Sequence, residues 1–212
     1  MNMKKELRQK LYRKRSQAFQ NDQASEECAA LKLVDMARPL LDGSVTHLKL
    51  TDTVIAGYIP IGSEIDPRPL MTEFHEKGAL LCMPEVVEKN APLQFRQWSP
   101  GDLLISGALG TLQPLSTARI LNPDVMFLPL VGVDQMGVRL GQGGGFYDRT
   151  IEKYTGEKYS GKELLTIGLA FETQIVDDLP KQPHDQYLDG LISPSFCKMW
   201  TEDRQVRYLK QS

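Results

Sequence analysis

Apolar positions along the chain follow two alternating spacings. From residue 4 to residue 20 the spacing is helical: Leu7, Leu11 and Ala18 share one face, and Lys4, Arg8 and Arg15 border it. Basic side chains at such a border can lay their stems over apolar surface and carry their charge towards a cleft. A second helical pattern covers 24–38, with Ala30, Leu33, Val34 and Ala37 inward and Pro39 and Gly43 ending it. The β-branched run Thr53–Ile59 predicts a buried strand, and Ala79–Pro84 predicts another. Between them Asp66 as N-cap, Pro67 at the first helical position and Gly78 past the end mark a helix. Strand, helix and strand in so short a span predict a parallel βαβ unit.

Further along, Leu93–Trp98 alternates as a half-exposed strand would. Asp124–Asp134 is strongly apolar, and Pro129 inside it implies a strand end, an edge or a bulge. A turn at Gln135-Met136-Gly137 leads into a glycine-rich stretch, from which a helix should run from about Gly145 through Lys153. Residues 164–171 and 190–193 are the last predicted strands, and 200–212 reads as a charged tail. No internal repeat, low-complexity segment or linker divides residues 1–212. The pattern predicts a single α/β domain with a mostly parallel central sheet flanked by helices.

Composition adds little to this, but charge placement does. The 212 residues are 41% hydrophobic and 25% charged, with a net charge of -2, which argues against nucleic acid as a partner. Residues 1–15 nevertheless carry a net +6, so the N-terminal helix offers an anion site as well as a solvated basic face. Cys28, Cys82 and Cys197 form no CxxC pair, and His47, His75 and His184 add no ligand spacing, so neither a disulfide framework nor a zinc centre is expected. There is no apolar signal region and no run of membrane-spanning length. A cytoplasmic monomer acting on small molecules is expected.

The most specific feature is Arg139-Leu140-Gly141-Gln142-Gly143-Gly144-Gly145-Phe146-Tyr147-Asp148-Arg149. Glycines free the backbone to aim N–H groups at one anion, and the following helix adds its own free N–H groups and the positive end of its dipole. The dinucleotide pattern GxGxxG is excluded. Started at Gly141 it needs glycine where Phe146 stands, and started at Gly143 it needs glycine where Asp148 stands. No glycine is followed by lysine and then serine or threonine, so the P-loop pattern is excluded too.

This motif resembles that of the 5-formyltetrahydrofolate cyclo-ligase family, also called methenyltetrahydrofolate synthetase. Lys4 and Arg8 in an N-terminal Lys-x-x-x-Arg, Glu64 in the "YIPIGSEIDP" segment, and Asp185 and Asp189 in "LPKQPHDQYLDGLIS" extend the match in the same order. The resemblance implies a fold similar to the sugar-phosphate isomerase and CoA-transferase superfamily. It implies ATP- and Mg²⁺-dependent conversion of 5-formyltetrahydrofolate to 5,10-methenyltetrahydrofolate through an iminium phosphate, with ADP and phosphate released. It implies ATP contacts from Lys4, Lys5, Arg8 and Arg139 and from Gln142, Gly143, Gly144, Gly145, Phe146, Tyr147, Asp148, Arg149 and Thr150. Ile59, Glu64, Trp98, Gly145, Phe146 and Tyr147 would meet the folate, Asp185 would hold the metal, and Arg8, Tyr147 and Asp148 would serve catalysis. Arg139 can equally pair with an acid, and Asp148 can serve the helix dipole. Two positions depart from the family pattern: Gly144, where many members carry lysine, and Gln113, where many carry glutamate. A non-catalytic nucleotide or folate sensor and a sugar-phosphate isomerase relative are the alternatives.

Overall fold

In a computed structural model of the chain, described over residues 3–42, 49–155, 164–182, 185–201 and 205–209, one nine-stranded sheet organises the molecule. The chain opens with α1 (Met3–Gln23), α2 (Ala29–Met36) and the short α3 (Arg38–Leu41). The second helix starts later than its pattern suggests. The Asp22 carboxylate accepts the Ala29 N–H, so residues 24–28 form a bend rather than a helical turn. Pro39 sits in the first turn of α3, where a missing N–H costs nothing; Gly43 lies outside the described residues.

Next come β1 (Val54–Ala56), α4 (Arg68–Glu76) and β2 (Leu80–Glu85), the expected βαβ unit, with β1 and β2 parallel and Ile55 opposite Leu81. The N-cap is Pro67, one residue later than the sequence suggests, and Asp66 Oδ1 accepts the Arg68 N–H from the position before it. The chain continues through β3 (Gln94–Gln97), the hairpin β4 (Leu104–Ser106) and β5 (Leu112–Pro114), and β6 (Ile120–Leu121). Strand β7 (Val125–Pro129) ends at the proline that the sequence flagged.

The predicted 124–134 strand is therefore split. After β7 the chain forms a small ribbon, β8 (Gly132–Val133) against β9 (Arg139–Leu140), and the glycine stretch leaves from that ribbon instead of from the main sheet. It enters α5 (Phe146–Thr155). Strands β10 (Leu165–Leu169), β11 (Gly190–Ser193), β12 (Phe196–Trp200) and β13 (Val206–Leu209) complete the sheet. The last two were not expected: the segment read as a charged tail adds β13, antiparallel to β12.

The strand order is β13-β12-β11-β10-β7-β1-β2-β3-β6. The five central strands are parallel, and both flanks turn antiparallel. Successive residues alternate between the faces. Ile55, Leu81, Val125 and Phe127 join the cluster with α2 and α4, and Ala56, Cys82, Met126 and Leu128 join the one with α5. Fully burying one such aliphatic side chain contributes about 1.5–3 kcal/mol. Helix α1 docks separately through Leu11, which packs with Val131, Val138, Leu140 and Leu179. A Cβ on Gly132 would lie 2.5 Å from Leu11 Cδ1, so only glycine lets the helix approach the ribbon this closely.

Candidate active site

The carboxyl ends of β1, β2 and β7 open into a cleft of about 440 Å³. Such a position is where parallel α/β sheets bind ligands. Two walls of different chemistry face it. One carries Lys4, Arg8, Arg139, Gly141–Gly145, Asp148, Gln182 and Asp185; the other carries Ile59, Ile61, Pro84, Val86, Leu93, Leu109 and Leu112. Tyr58, Glu64, Phe146 and Tyr147 also line it.

The glycine loop is held from both sides. Arg8 Nε donates to the Gly141 carbonyl at 2.9 Å, and Arg149 Nη2 donates to the Gly144 carbonyl at 2.7 Å. Gly143 and Gly145 both have positive φ, +104° and +65°, which β-carbons disfavour. Among the described residues, the backbone N–H groups of Gln142 to Asp148 have no hydrogen-bond partner. They are the uncommitted donors of the loop and of the first turn of α5, and an anion is their natural complement. At the same mouth Lys4 Nζ lies 2.6 Å from Asp185 Oδ2, which also accepts the Gln182 N–H.

The Glu64 carboxylate is buried, and each of its oxygens has a partner. Oε2 accepts the Ile61 N–H at 2.9 Å, Oε1 accepts Gln142 Nε2 at 2.8 Å, and Arg15 Nη1 lies 3.5 Å away. Burial pushes its pKa up, while those partners pull the other way. Burial also raises the Tyr58 and Tyr147 phenols, helped by the nearby Glu64 charge, so both stay protonated donors near neutral pH. The Tyr58 hydroxyl donates to the Ile65 carbonyl at 2.7 Å.

The sequence model of the 5-formyltetrahydrofolate cyclo-ligase family matches residues 1–194. The chain belongs to that family. The 5-formyltetrahydrofolate cyclo-ligase of Mycolicibacterium smegmatis is 30% identical over 162 residues, 73% of this chain and 80% of that protein. The one from Escherichia coli is 31% identical over 151 residues, 69% and 79% of the two chains. The solved structure of Aquifex aeolicus 5,10-methenyltetrahydrofolate synthetase superposes with a TM-score of 0.72 at 26% identity, covering 99% of this chain and 97% of that one. A methenyltetrahydrofolate synthetase from Mycoplasma pneumoniae shares the fold, with a TM-score of 0.63 at 21% identity.

In this cyclo-ligase family member the fold gathers Lys4, Arg8, Ile59, Glu64, Arg139, Gln142 to Asp148 and Asp185 around one cleft. Four expected residues fall elsewhere. Lys5 is exposed on the outer face of α1 and outside the cleft lining. Trp98 is only 4% exposed and belongs to the core cluster of the α2/α4 face. Thr150 is fully buried; its hydroxyl donates to the Phe146 carbonyl and accepts the Leu93 N–H. Arg149 lies behind the loop, over the Phe146 ring. Arg139 lines the cleft and pairs with an acid: Nη2 donates to Asp148 Oδ1 and Nη1 to the Gln186 carbonyl, both at 2.6 Å. Burial lowers its pKa, opposed first by Asp148.

Sequence reasoning missed Tyr58, Gln182 and the β4–β5 hairpin tip, and it placed Arg15 on the border of α1. Arg15 instead lies in the buried stripe at 4% exposure. Its signal was visible in the spacing Leu7, Leu11, Arg15, Ala18, a charge in register with an apolar face. His47 and His184 lie outside the described residues.

Proposed function

We propose that this protein converts 5-formyltetrahydrofolate to 5,10-methenyltetrahydrofolate with hydrolysis of ATP to ADP and phosphate. The observation that carries the reading is the pairing, in one cleft, of an anion-seeking glycine loop with a partly apolar pocket holding a buried carboxylate. A formyl oxygen is a poor leaving group until it is phosphorylated, so the protein's work is positioning and charge neutralisation. The triphosphate lies against the backbone donors of Gln142–Gly145 and the first turn of α5, with Lys4 and Arg8 supplying positive charge in place of the lysine that Gly144 lacks. The folate takes the other wall, with Glu64 as an acceptor for its pterin N–H groups and Phe146 and Tyr147 as ring surfaces. Pro84, Val86, Leu93, Leu109 and Leu112 keep water from the activated formyl group. Arg139 and Asp148 brace the start of α5.

No group of three or more acidic, histidine or cysteine side chains that could hold a metal occurs among the described residues. Mg²⁺ keeps several waters and can bind through one carboxylate and the nucleotide phosphates, so it needs no such group. Asp185 would hold it, and the ion would supply neutralisation of phosphate charge.

The test is to incubate the protein with 5-formyltetrahydrofolate, ATP and Mg²⁺ and follow the near-UV absorbance of the methenyl product. Absence of product from folded protein refutes the reading. Ligand binding without turnover would favour a sensor instead.

A further inference from the structure

Arg15 does not line the cleft, yet it reaches Glu64, which lines it and holds Gln142 of the glycine loop. It lies on the fourth turn of α1. Nη1 donates to the Leu130 carbonyl at 3.0 Å, just beyond the end of β7, and Nε donates to Ser63 Oγ at 3.1 Å. The same Leu130 carbonyl accepts Gln174 Nε2 at 2.6 Å, so the anchor belongs to a buried polar knot. From this anchor the guanidinium faces Glu64 Oε1, and Glu64 Oε1 in turn accepts from Gln142 in the glycine loop. The chain of contacts runs Leu130, Arg15, Glu64, Gln142.

We propose that Arg15 is a positioning residue: acting through Glu64 and Gln142, it sets the folate wall and the triphosphate loop in one joint arrangement. The proposal rests on the function above for its kinetic test only. An arginine suits the task because its planar fork serves a carbonyl, a hydroxyl and a carboxylate together, which one ammonium group does not. The role differs from simple helix docking, for which Leu11 and its apolar neighbours suffice. The groups facing Glu64 are Arg15 and Tyr12 from α1, Tyr58 from the loop after β1, Tyr147 from α5 and Gln142 from the loop. Arg15 is the cation among them, so it opposes the rise that burial imposes on the carboxyl.

The experiment compares Arg15→Met, Arg15→Lys, Glu64→Gln and the double variant Arg15→Met/Glu64→Gln, each checked for fold by circular dichroism. In Arg15→Met the KM for the folate should rise about tenfold or more, as expected for a lost charged hydrogen-bond partner, and the KM for ATP should rise less. The acid limb of kcat/KM for the folate should move to higher pH, because Glu64 without its cation holds its proton longer. Arg15→Lys should recover part of both effects. In the Glu64→Gln background Arg15→Met should add less than about twofold, since residues acting through one another are non-additive. A carbon-13 NMR titration of the Glu64 carboxyl in ligand-free protein should show it titrating higher in Arg15→Met. That readout stands even if the wild type proves inactive, which would refute the proposed function alone. An unshifted Glu64 titration in folded Arg15→Met, or full additivity with Glu64→Gln, overturns the proposal. Should Arg15→Met fail to fold, the same titration is run on Arg15→Lys and Ser63→Ala, and an unshifted Glu64 in both overturns it equally.

Discussion

Replacing Arg8 by alanine tests the phosphate wall most directly, because Arg8 has two separable roles. Its Nε holds the Gly141 carbonyl at 2.9 Å, and its guanidinium lies beside Gly143, with Cζ 3.5 Å from where a β-carbon there would stand. The first contact fixes the loop; the second places a cation within reach of any phosphate cradled there. Losing a hydrogen bond to a neutral carbonyl costs about 0.5–1.5 kcal/mol, and losing a charge-assisted one costs about 1.5–3 kcal/mol. Together they amount to about 2–4.5 kcal/mol, or between roughly 30-fold and 2000-fold in the apparent ATP requirement. Arg8→Lys separates the two, keeping the charge while losing the Nε bond, and should fall at least tenfold short of the alanine effect. Initial rates at fixed folate and varied ATP give the kinetic numbers, and calorimetry with a non-hydrolysable ATP analogue gives the binding numbers. An ATP requirement within twofold of wild type in Arg8→Ala would refute the assignment. An equal rise in the folate requirement would show that the loop had collapsed instead.

Gly145→Ala places a β-carbon on a residue at φ +65°, 2.6 Å from Arg149 Nη1, and should lower stability by about 1–2 kcal/mol in urea denaturation, whereas Gly141→Ala, with open space and no positive φ, should be near neutral. Thr150→Val removes the acceptor of the Leu93 N–H and should cost about 1–3 kcal/mol of stability while leaving the ATP KM unchanged; a raised ATP KM would return Thr150 to the nucleotide site. Lys198 is 1% exposed between the Trp200 and Phe196 rings, and burial lowers its pKa, with Asp134 opposing. A lowered folded pKa means that the unfolded chain holds more protons between that value and the ordinary lysine value, so this site's contribution to stability grows as pH rises through the window. Lys198→Met should therefore gain about 1 kcal/mol at pH 7, roughly 2–4 °C in Tm, with a smaller gain at about pH 9.5; a lower Tm at pH 7 would contradict this.

What could be read in advance was what local chemistry decides. Asp66, Pro67 and Gly78 punctuate α4 from within their own segment, and Pro129 ends β7 because it cannot donate to a ladder. The glycines of the Gly141–Gly145 stretch likewise signal a loop of unusual backbone, and Gly143 and Gly145 have positive φ there. What escaped depends on distant partners. Strand β12 hides because Lys198 sits among its apolar residues, and the flanking rings and the Asp134 charge offset that burial. The ribbon β8–β9 has two residues per strand, too few to show a period. Arg15 was drawn to the helix border by its charge, although its spacing put it inside. The family resemblance implies an ATP contact for Thr150, but one helical turn past Phe146 the backbone turns it into the core.

If the proposed function holds, the ion pair between Lys4 and Asp185 bears on which form of nucleotide the cleft would accept. In the ligand-free protein the two groups neutralise each other, so the cation is not idle when a phosphate arrives. On the proposed function, bare ATP has to take Lys4 from Asp185 and then face the carboxylate left behind. A nucleotide that arrives with a divalent ion meets no such opposition, because the ion satisfies Asp185 as the phosphate satisfies Lys4. On the proposed function, exchanging one salt bridge for two would let the cleft select metal-complexed nucleotide without a dedicated metal cage.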